Sequence, residues 1–281
     1  MKKKEVGLVV KSNALSEASY RLTPAEQGVI LSCISQIRKD ERVTDQTMYK
    51  ISVSDYADLM GADPFSAYRD VKNAAIRLSE RRVRIYNLPN GEGKIKNKNE
   101  VLITGWVQSI IYSDDGGEVS LRFSHDMLPY LTNLSKCFTK YKLKSISKMS
   151  SGYGIRLYEI IIGWLNQYKK ESHEVSIEWI RKIFMLEEKY PRMHDLKKRV
   201  IEPAISDINM HSDLLVTWKL KKTGRKATHI EFIYKPKVNQ SNKKSKQQNL
   251  ESWKSHIEKH ARPGESYAQT DARLKSKLAK I

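Results

Sequence analysis

Apolar positions fall into short periodic blocks, and their spacing predicts a definite order of elements. Thr23 stands where a helix cap belongs, with Pro24 at the first helical position and Glu26 three residues after Thr23. Val29, Ile30, Cys33, Ile34 and Ile37 then mark one helical face. Residues 49–53 read as a short strand. Ser54 is the expected cap of a brief helix holding Tyr56, Ala57, Leu59 and Met60, which Gly61 ends. After Asp63 and Pro64 a longer helix is predicted to about Ser79, with Val71, Ala74, Ala75 and Leu78 as its apolar face. Strands are expected near 82–87 and 101–112, joined by a Gly/Lys/Asn-rich loop at 90–99. A further strand, Glu118 to Phe123, follows the turn signal Asp114-Asp-Gly-Gly117.

The second half repeats this order. A helix from about Tyr153 to Tyr168 carries Ile155, Tyr158, Ile161, Ile162 and Leu165 on one face. A strand at 173–177, a brief helix at 178–185 and a longer helix at about 194–209 come next. Two strands, 214–221 and 228–234, flank the basic turn Lys222-Thr-Gly-Arg-Lys226. Helix, strand, helix, turn, helix, strand, strand is the order of a winged helix, and it occurs twice. The fold class predicted is α+β: two tandem winged-helix domains with internal pseudo-symmetry and a flexible C-terminal tail. The boundaries expected are 1–135, 136–238 and 239–281, with a linker near Ser135 to Lys140 and a basic, largely disordered tail in which 239–249 reads as linker and 251–260 and 266–281 can form short helices.

Charge adds a direction to this architecture. The 281 residues carry 51 Lys+Arg against 32 Asp+Glu, a net charge of +19. Residues 239–281 hold about +6 of it and the body about +13. A basic body points to a polyanionic partner, nucleic acid before a membrane. Two cysteines, Cys33 and Cys137, make a disulfide framework or zinc site improbable. Apolar runs such as 160–162 are too short to span a bilayer, so a cytoplasmic protein is expected.

In each module the last helix can enter the major groove with its polar face while its apolar face packs inward. Base-reading candidates in the first half are Ser66, Tyr68, Arg69 and Asn73, with Lys72 on a phosphate. In the second half Arg192, Asp195, Lys198 and Arg199 crowd the start of the helix. Arginine can grip guanine and aspartate can accept from cytosine. Cations at a helix start also oppose its dipole, which stability alone would not favour. Lys197, Lys219, Lys221, Lys222, Arg225 and Lys226 are the phosphate candidates there. Pro203 lies inside this helix and predicts a kink or break near 199–203.

These residues carry a family resemblance. Val9-Val-Lys-Ser-Asn13 and Leu22-Thr-Pro-Ala-Glu-Gln27 resemble the N-terminal signature of iteron-binding plasmid replication initiators. Arg156-Leu-Tyr-Glu159 resembles the opening of their second domain. Arg192-Met-His-Asp-Leu-Lys-Lys-Arg199 and Gly224-Arg-Lys-Ala-Thr-His-Ile-Glu-Phe232 are similar to their last recognition helix and hairpin. The resemblance spans about residues 8–235. It implies monomers that bind direct repeats at an origin, and homodimers that repress their own promoter at an inverted repeat. It also implies help in origin opening and contacts with host initiator and helicase. Arg192, Asp195 and Lys198 match positions expected to read bases, Lys198 standing where arginine is common. Leu8, Leu15, Leu22 and Val29 fall at zipper spacing, but Pro24 interrupts them. Edge-strand pairing through residues 101–123 is the expected dimer contact.

Two rival classes stand beside this one, an enzyme and a regulator. A rolling-circle nickase needs a His-x-His metal pair, which the seven histidines do not form, although His256 and His260 share i,i+4 spacing. A helicase needs a phosphate loop of the G-x-x-x-x-G-K-[ST] type, which is missing. No enzyme activity, metal or cofactor is therefore expected. A winged-helix transcription regulator without an initiator role is the alternative.

Overall fold

Ser12 Oγ accepts the Ala14 amide at 3.2 Å and turns strand β1 (Leu8–Ser12) into a single helical turn, α1 (Asn13–Ser16). The computed structural model describes residues 7–38, 43–61, 63–95, 100–112, 117–224, 226–237, 254, 257–260 and 265–278. Helix α2 (Pro24–Ile34) opens on a reciprocal cap: Thr23 Oγ1 accepts the Glu26 amide at 3.3 Å, and Glu26 Oε2 accepts the Thr23 amide at 2.9 Å. Strand β2 (Tyr49–Ser52) runs directly into α3 (Val53–Met60). The cap of α3 is Ser52, not Ser54. Ser52 keeps an extended backbone and accepts the Asp55 amide at 3.0 Å, while Ser54 already lies in the first turn. Gly61, at φ 63, ends α3 in the left-handed region.

Asp63 caps α4 (Pro64–Leu78) by accepting the Ser66 amide at 3.0 Å. Ala67, Val71, Ala74, Ala75 and Leu78 are wholly buried, and α4 packs on α2. The strand expected at 101–112 is two strands. β3 (Arg82–Ile85) pairs with β4 (Leu102–Gly105), whereas β5 (Val107–Tyr112) pairs with β6 (Glu118–Phe123). The chain changes sheet at Gly105 and Trp106, whose ring is buried edge-on against Tyr20 at 4.9 Å.

After β6 the chain returns to its start. β7 (Phe138–Lys142) pairs antiparallel with β1, from Ser12 opposite Phe138 to Leu8 opposite Lys142. Residues 138–140, expected in a linker, are therefore strand. The second module follows. Ser151 caps α5 (Gly152–Tyr168), and β8 (Ser172–Ser176) runs into α6 (Ile177–Ile183), with Ser176 Oγ accepting the Trp179 amide at 3.0 Å. Then come α7 (Met193–Leu196), a π turn at Lys197–Ile201, α8 (Glu202–His211), β9 (Leu214–Thr223) and β10 (Lys226–Pro236).

The two modules share one topology. Their sheets run β2-β6-β5 and β8-β10-β9: the strand before the second helix at one edge, the last strand central, the first wing strand at the other edge. In each, the last residue of the edge strand is a serine that caps the following helix. One apolar core runs through both modules, from Val9 to Tyr234. The zipper spacing does not lie on one helix: Leu8 is in β1, Leu15 in α1, Leu22 before the cap of α2 and Val29 within it.

Residues 237–281 form a separate unit. Its helix α9 (Tyr267–Leu278) is tied to the preceding chain by Arg273, which donates to Glu265 at 2.7 and 2.8 Å and to the His260 carbonyl at 2.8 Å. Residues 254 and 257–260 are also helical. These segments fall within the short helices expected at 251–260 and 266–281. The expected linker at 239–249 and His256 lie outside the described residues. Among the described residues no helix is long and apolar enough to cross a membrane.

Candidate nucleic-acid interface

The start of the last helix in the second module is set by the loop before it. Met185 and Tyr190 both adopt φ 53, a conformation that costs non-glycine residues energy. Arg181, in the last turn of α6, gathers this loop: its guanidinium donates to the carbonyls of Lys189 at 2.8 Å, Tyr190 at 2.7 Å and Pro191 at 3.2 Å. Arg192 follows at once as the N-cap of α7, exposed and making no side-chain capping bond. Sequence reasoning missed Arg181. The available signal was a cation in the last turn of a helix, placed to bind carbonyls.

Arg192, Lys197, Lys198 and Arg199 are all exposed, and Asp195 is half-buried, while Leu196, Val200 and Ile201 turn inward. The helix does not break at Pro203. Lys197 (φ −57, ψ −58), Ile201 (φ −71, ψ −53) and Glu202 (φ −63, ψ −47) stay right-handed, and the Glu202 amide donates to the Lys197 carbonyl. A wide π turn gives room to the ring that would press on the Arg199 carbonyl in a regular helix. Of the kink or break expected near 199–203, the break does not occur: a π bulge at Lys197–Ile201 keeps the basic start and the apolar end on one continuous helix.

The wing lysines divide by strand alternation. Leu214 and Val216 face the core, so Trp218, Leu220 and Lys222 share their side of β9 while Lys219 and Lys221 take the other. Lys221 is engaged there: it is hydrogen-bonded to Glu174 on β8 and lies 3.7 Å from Glu231 on β10. The hydrogen bond to Glu174 raises its pKa above the ordinary lysine value. Lys219, Lys222 and Lys226 are exposed, and Arg225 lies outside the described residues. Lys197 also has partners, Glu202 at 3.4 Å and the face of Trp218 at 5.7 Å.

In the first module Asn73 is exposed, and Arg69 is exposed beside Asp70 at 3.7 Å. Tyr68 is half-buried. Ser66 is half-buried too, and its hydroxyl donates to the Asp63 carbonyl at 3.1 Å, a capping duty. Lys72 Nζ stands 4.9 Å over the ring of Tyr112 at the end of the first wing strand. The candidates of the two modules lie on separate helices of one compact unit spanning residues 1–236.

The junction of the modules is charged and buried. Arg156 of α5, 2% exposed, donates to the carbonyls of Ser16 at 3.3 Å, Ala18 and Tyr20 at 2.6 Å each, and to that of Ile183. Its guanidinium also stacks 3.6 Å from the Tyr20 ring. One residue of the second module thus fastens the α1–α2 connection of the first to the end of α6. Three residues on, Glu159 accepts from Lys11 of β1 at 2.8 Å and from the Tyr141 hydroxyl of β7 at 2.6 Å.

Comparison with known proteins agrees with this architecture. The sequence profiles described as "Initiator Replication protein, WH1" and "Initiator Rep protein, WH2" match residues 8–162 and 176–234. A replication initiation protein of Escherichia coli is 28% identical over 229 residues, 80% of this chain and 68% of that protein. The PI protein of Escherichia coli is 26% identical over 248 residues, 79% of this chain and 80% of that one. The crystal structure of the Pi initiator protein in complex with iteron DNA has the same fold. It superposes with a TM-score of 0.67 at 22% identity, over 84% of this chain and 99% of the other. With two winged helices in tandem and both profiles matched in order, this chain belongs to the Initiator Replication protein family.

Proposed function

We propose that the chain initiates plasmid replication by binding direct repeats (iterons) in double-stranded DNA through both winged helices, the second reading most of the sequence. The observation that carries this reading is the exposed cationic start of the second recognition helix, Arg192, Lys198 and Arg199, standing in a family of replication initiators. In this reading Arg192, Asp195, Lys198 and Arg199 read base edges. Lys219, Lys222, Arg225 and Lys226 hold phosphates, joined by Lys197 and Lys221 within their existing pairs. Ser66, Tyr68, Arg69, Lys72 and Asn73 serve a second, weaker contact in the first module. Successive major grooves on one face lie about 10 bp apart, so the two modules cover roughly 20 bp.

The chain acts by binding, with no catalytic step of its own. It opens the origin with host initiator and helicase, and as a homodimer it represses its own promoter. The first modules pair through residues 101–123, where Ile103 (58% exposed) and Ile111 (57%) offer apolar surface on strand edges. Footprinting the DNA that flanks the gene tests the reading. Several direct repeats protected at regular intervals are the expected result. A single protected inverted repeat would instead make the chain a transcription regulator.

A further inference from the structure

The last turn of α6 is held from several sides at once. Ser19 of the first module donates its hydroxyl to the Lys182 carbonyl at 2.7 Å, and Lys182 Nζ stands 3.7 Å over the Tyr86 ring. Arg156 of α5 donates to the Ile183 carbonyl. Arg181 therefore projects from a fixed point. Its Nη1 donates to the carbonyls of Leu186 at 3.4 Å and Lys189 at 2.8 Å, and its Nη2 to those of Tyr190 at 2.7 Å and Pro191 at 3.2 Å. Four backbone acceptors take up both terminal nitrogens, which leaves only Nε for any other partner. The carbonyls of three consecutive residues, 189–191, converge on one guanidinium only where the chain turns sharply. Tyr190 supplies that turn at φ 53, and Pro191 after it disfavours the right-handed alternative. Arg192, the next residue, caps α7 with its backbone alone: the Asp195 and Leu196 amides donate to its carbonyl at 3.1 and 3.2 Å. The origin of its exposed side chain is thus set by the clamped loop on one side and by the buried Leu196 on the other.

From this geometry we infer that Arg181 is a positioning residue for sequence recognition: it touches no base, and it fixes where Arg192 enters the groove. The inference rests on the proposed DNA reading and adds to it a residue outside the last helix. An arginine that grips a base needs two hydrogen bonds aligned together, so a shift of the helix start loses discrimination without removing charge. The fork of Arg181 is what the loop requires. Lysine carries the same charge at one point and cannot span four carbonyls. A loop ordered before the DNA arrives also spares the complex the cost of ordering it.

Arg181→Lys in the full chain tests this, because it keeps the charge and removes the fork. The probes are a duplex carrying one footprinted repeat and a random-sequence duplex of equal length. The wild type should prefer the repeat. Arg181→Lys should lower that preference about tenfold, while affinity for the random duplex, its salt dependence and the Tm stay close to wild type. Combined with Arg192→Ala, the two losses should fall short of their product, since both act through one contact. Amide hydrogen exchange, measured without DNA, should quicken between Met185 and Leu196 and not in α5. An unchanged preference, equal weakening on both duplexes, fully multiplicative losses or unchanged exchange would each overturn the inference. A wild type that binds both duplexes alike would defeat the DNA reading, and the inference with it. That result is distinct from a wild type that prefers the repeat beside a variant that prefers it equally, which defeats the inference alone.

Discussion

Lys197 Nζ stands 5.7 Å from the centre of the Trp218 ring, joining the recognition helix of the second module to the first strand of its wing. Lys72 and Tyr112 make the same connection in the first module, at 4.9 Å. In both cases a cation on the module's last helix lies over an aromatic on the sheet-edge wing strand, a contact that links the two elements. A double-mutant cycle with Lys197→Met and Trp218→Leu should give a coupling of about 0.5–1 kcal/mol in stability. Urea unfolding measures it, and a coupling indistinguishable from zero would remove the connection.

The alternation along β9 separates lysines that look alike in sequence. Lys222→Ala should weaken binding to all DNA sites alike and flatten the salt dependence by about one unit. Lys221→Ala should flatten it by less, because Glu174 and Glu231 already balance that charge. Lys198→Ala should instead lose roughly 1–3 kcal/mol of discrimination between sites, as expected of a base contact. Anisotropy titrations over a range of salt, on specific and random duplexes, distinguish the three. Identical behaviour of Lys198→Ala and Lys222→Ala would undo the division of roles.

The ion pair between Lys11 and Glu159 is nearly sealed from water, each side chain being 1% exposed. Lys11→Met leaves the carboxylate without its cation and should cost about 3–5 kcal/mol. Lys11→Met with Glu159→Leu should recover much of that loss, since an apolar pair needs no desolvation of charge. Burial pushes the Lys11 pKa down, but Glu159, Tyr20 and the hydrogen bond to Glu159 outweigh it and raise the value above 10.5. A raised folded pKa means that the contribution is complete below pH 10.5 and is lost as pH climbs through the folded value. Chemical unfolding of wild type and double variant across the alkaline range should show the wild type losing stability relative to the variant as pH climbs above 10.5.

Acid acts on the opposite charge, at the start of α2. Burial pushes the Glu26 pKa up, but Arg81, the Thr23 amide and Arg77 hold it below its ordinary 4.5. Its stabilising effect is therefore present above pH 4.5 and fades as pH falls through the folded value. Glu26→Gln should lower stability at neutral pH by about 2 kcal/mol, discounted because Arg77 and Arg81 are 47% and 38% exposed. Melting temperatures against pH should show wild type and variant converging below pH 4.5.

Local signals made much of this architecture legible. Thr23, Pro24 and Glu26 announce a capped helix, and the cap forms as read. Repeated helix and strand spacing announced two modules. What escaped was set by contacts distant in sequence or by competition between neighbours. β1 and β7 pair across more than a hundred residues, so nothing local distinguishes 138–142 from a connection. Ser52 and Ser54 are equally good caps by composition, and the strand end decides between them. Pro203 reads as a kink or break because the pattern assumes an α turn, while a π turn accommodates it without breaking the helix. In the candidate site, exposed cations at 192–199 were readable from the apolar stripe. The pairing of Lys221 was not, because its partners Glu174 and Glu231 arrive on other strands.

Two winged helices joined through one core should lie on one face of a single duplex. Hydroxyl-radical footprinting of the full chain on one protected repeat tests it most directly. Two blocks of backbone protection about 10 bp apart, on the same face, are predicted. The block under the second module alone should vanish when Arg192, Lys198 and Arg199 are replaced by alanine. One uninterrupted block on a single groove, unaffected by those replacements, would contradict the account.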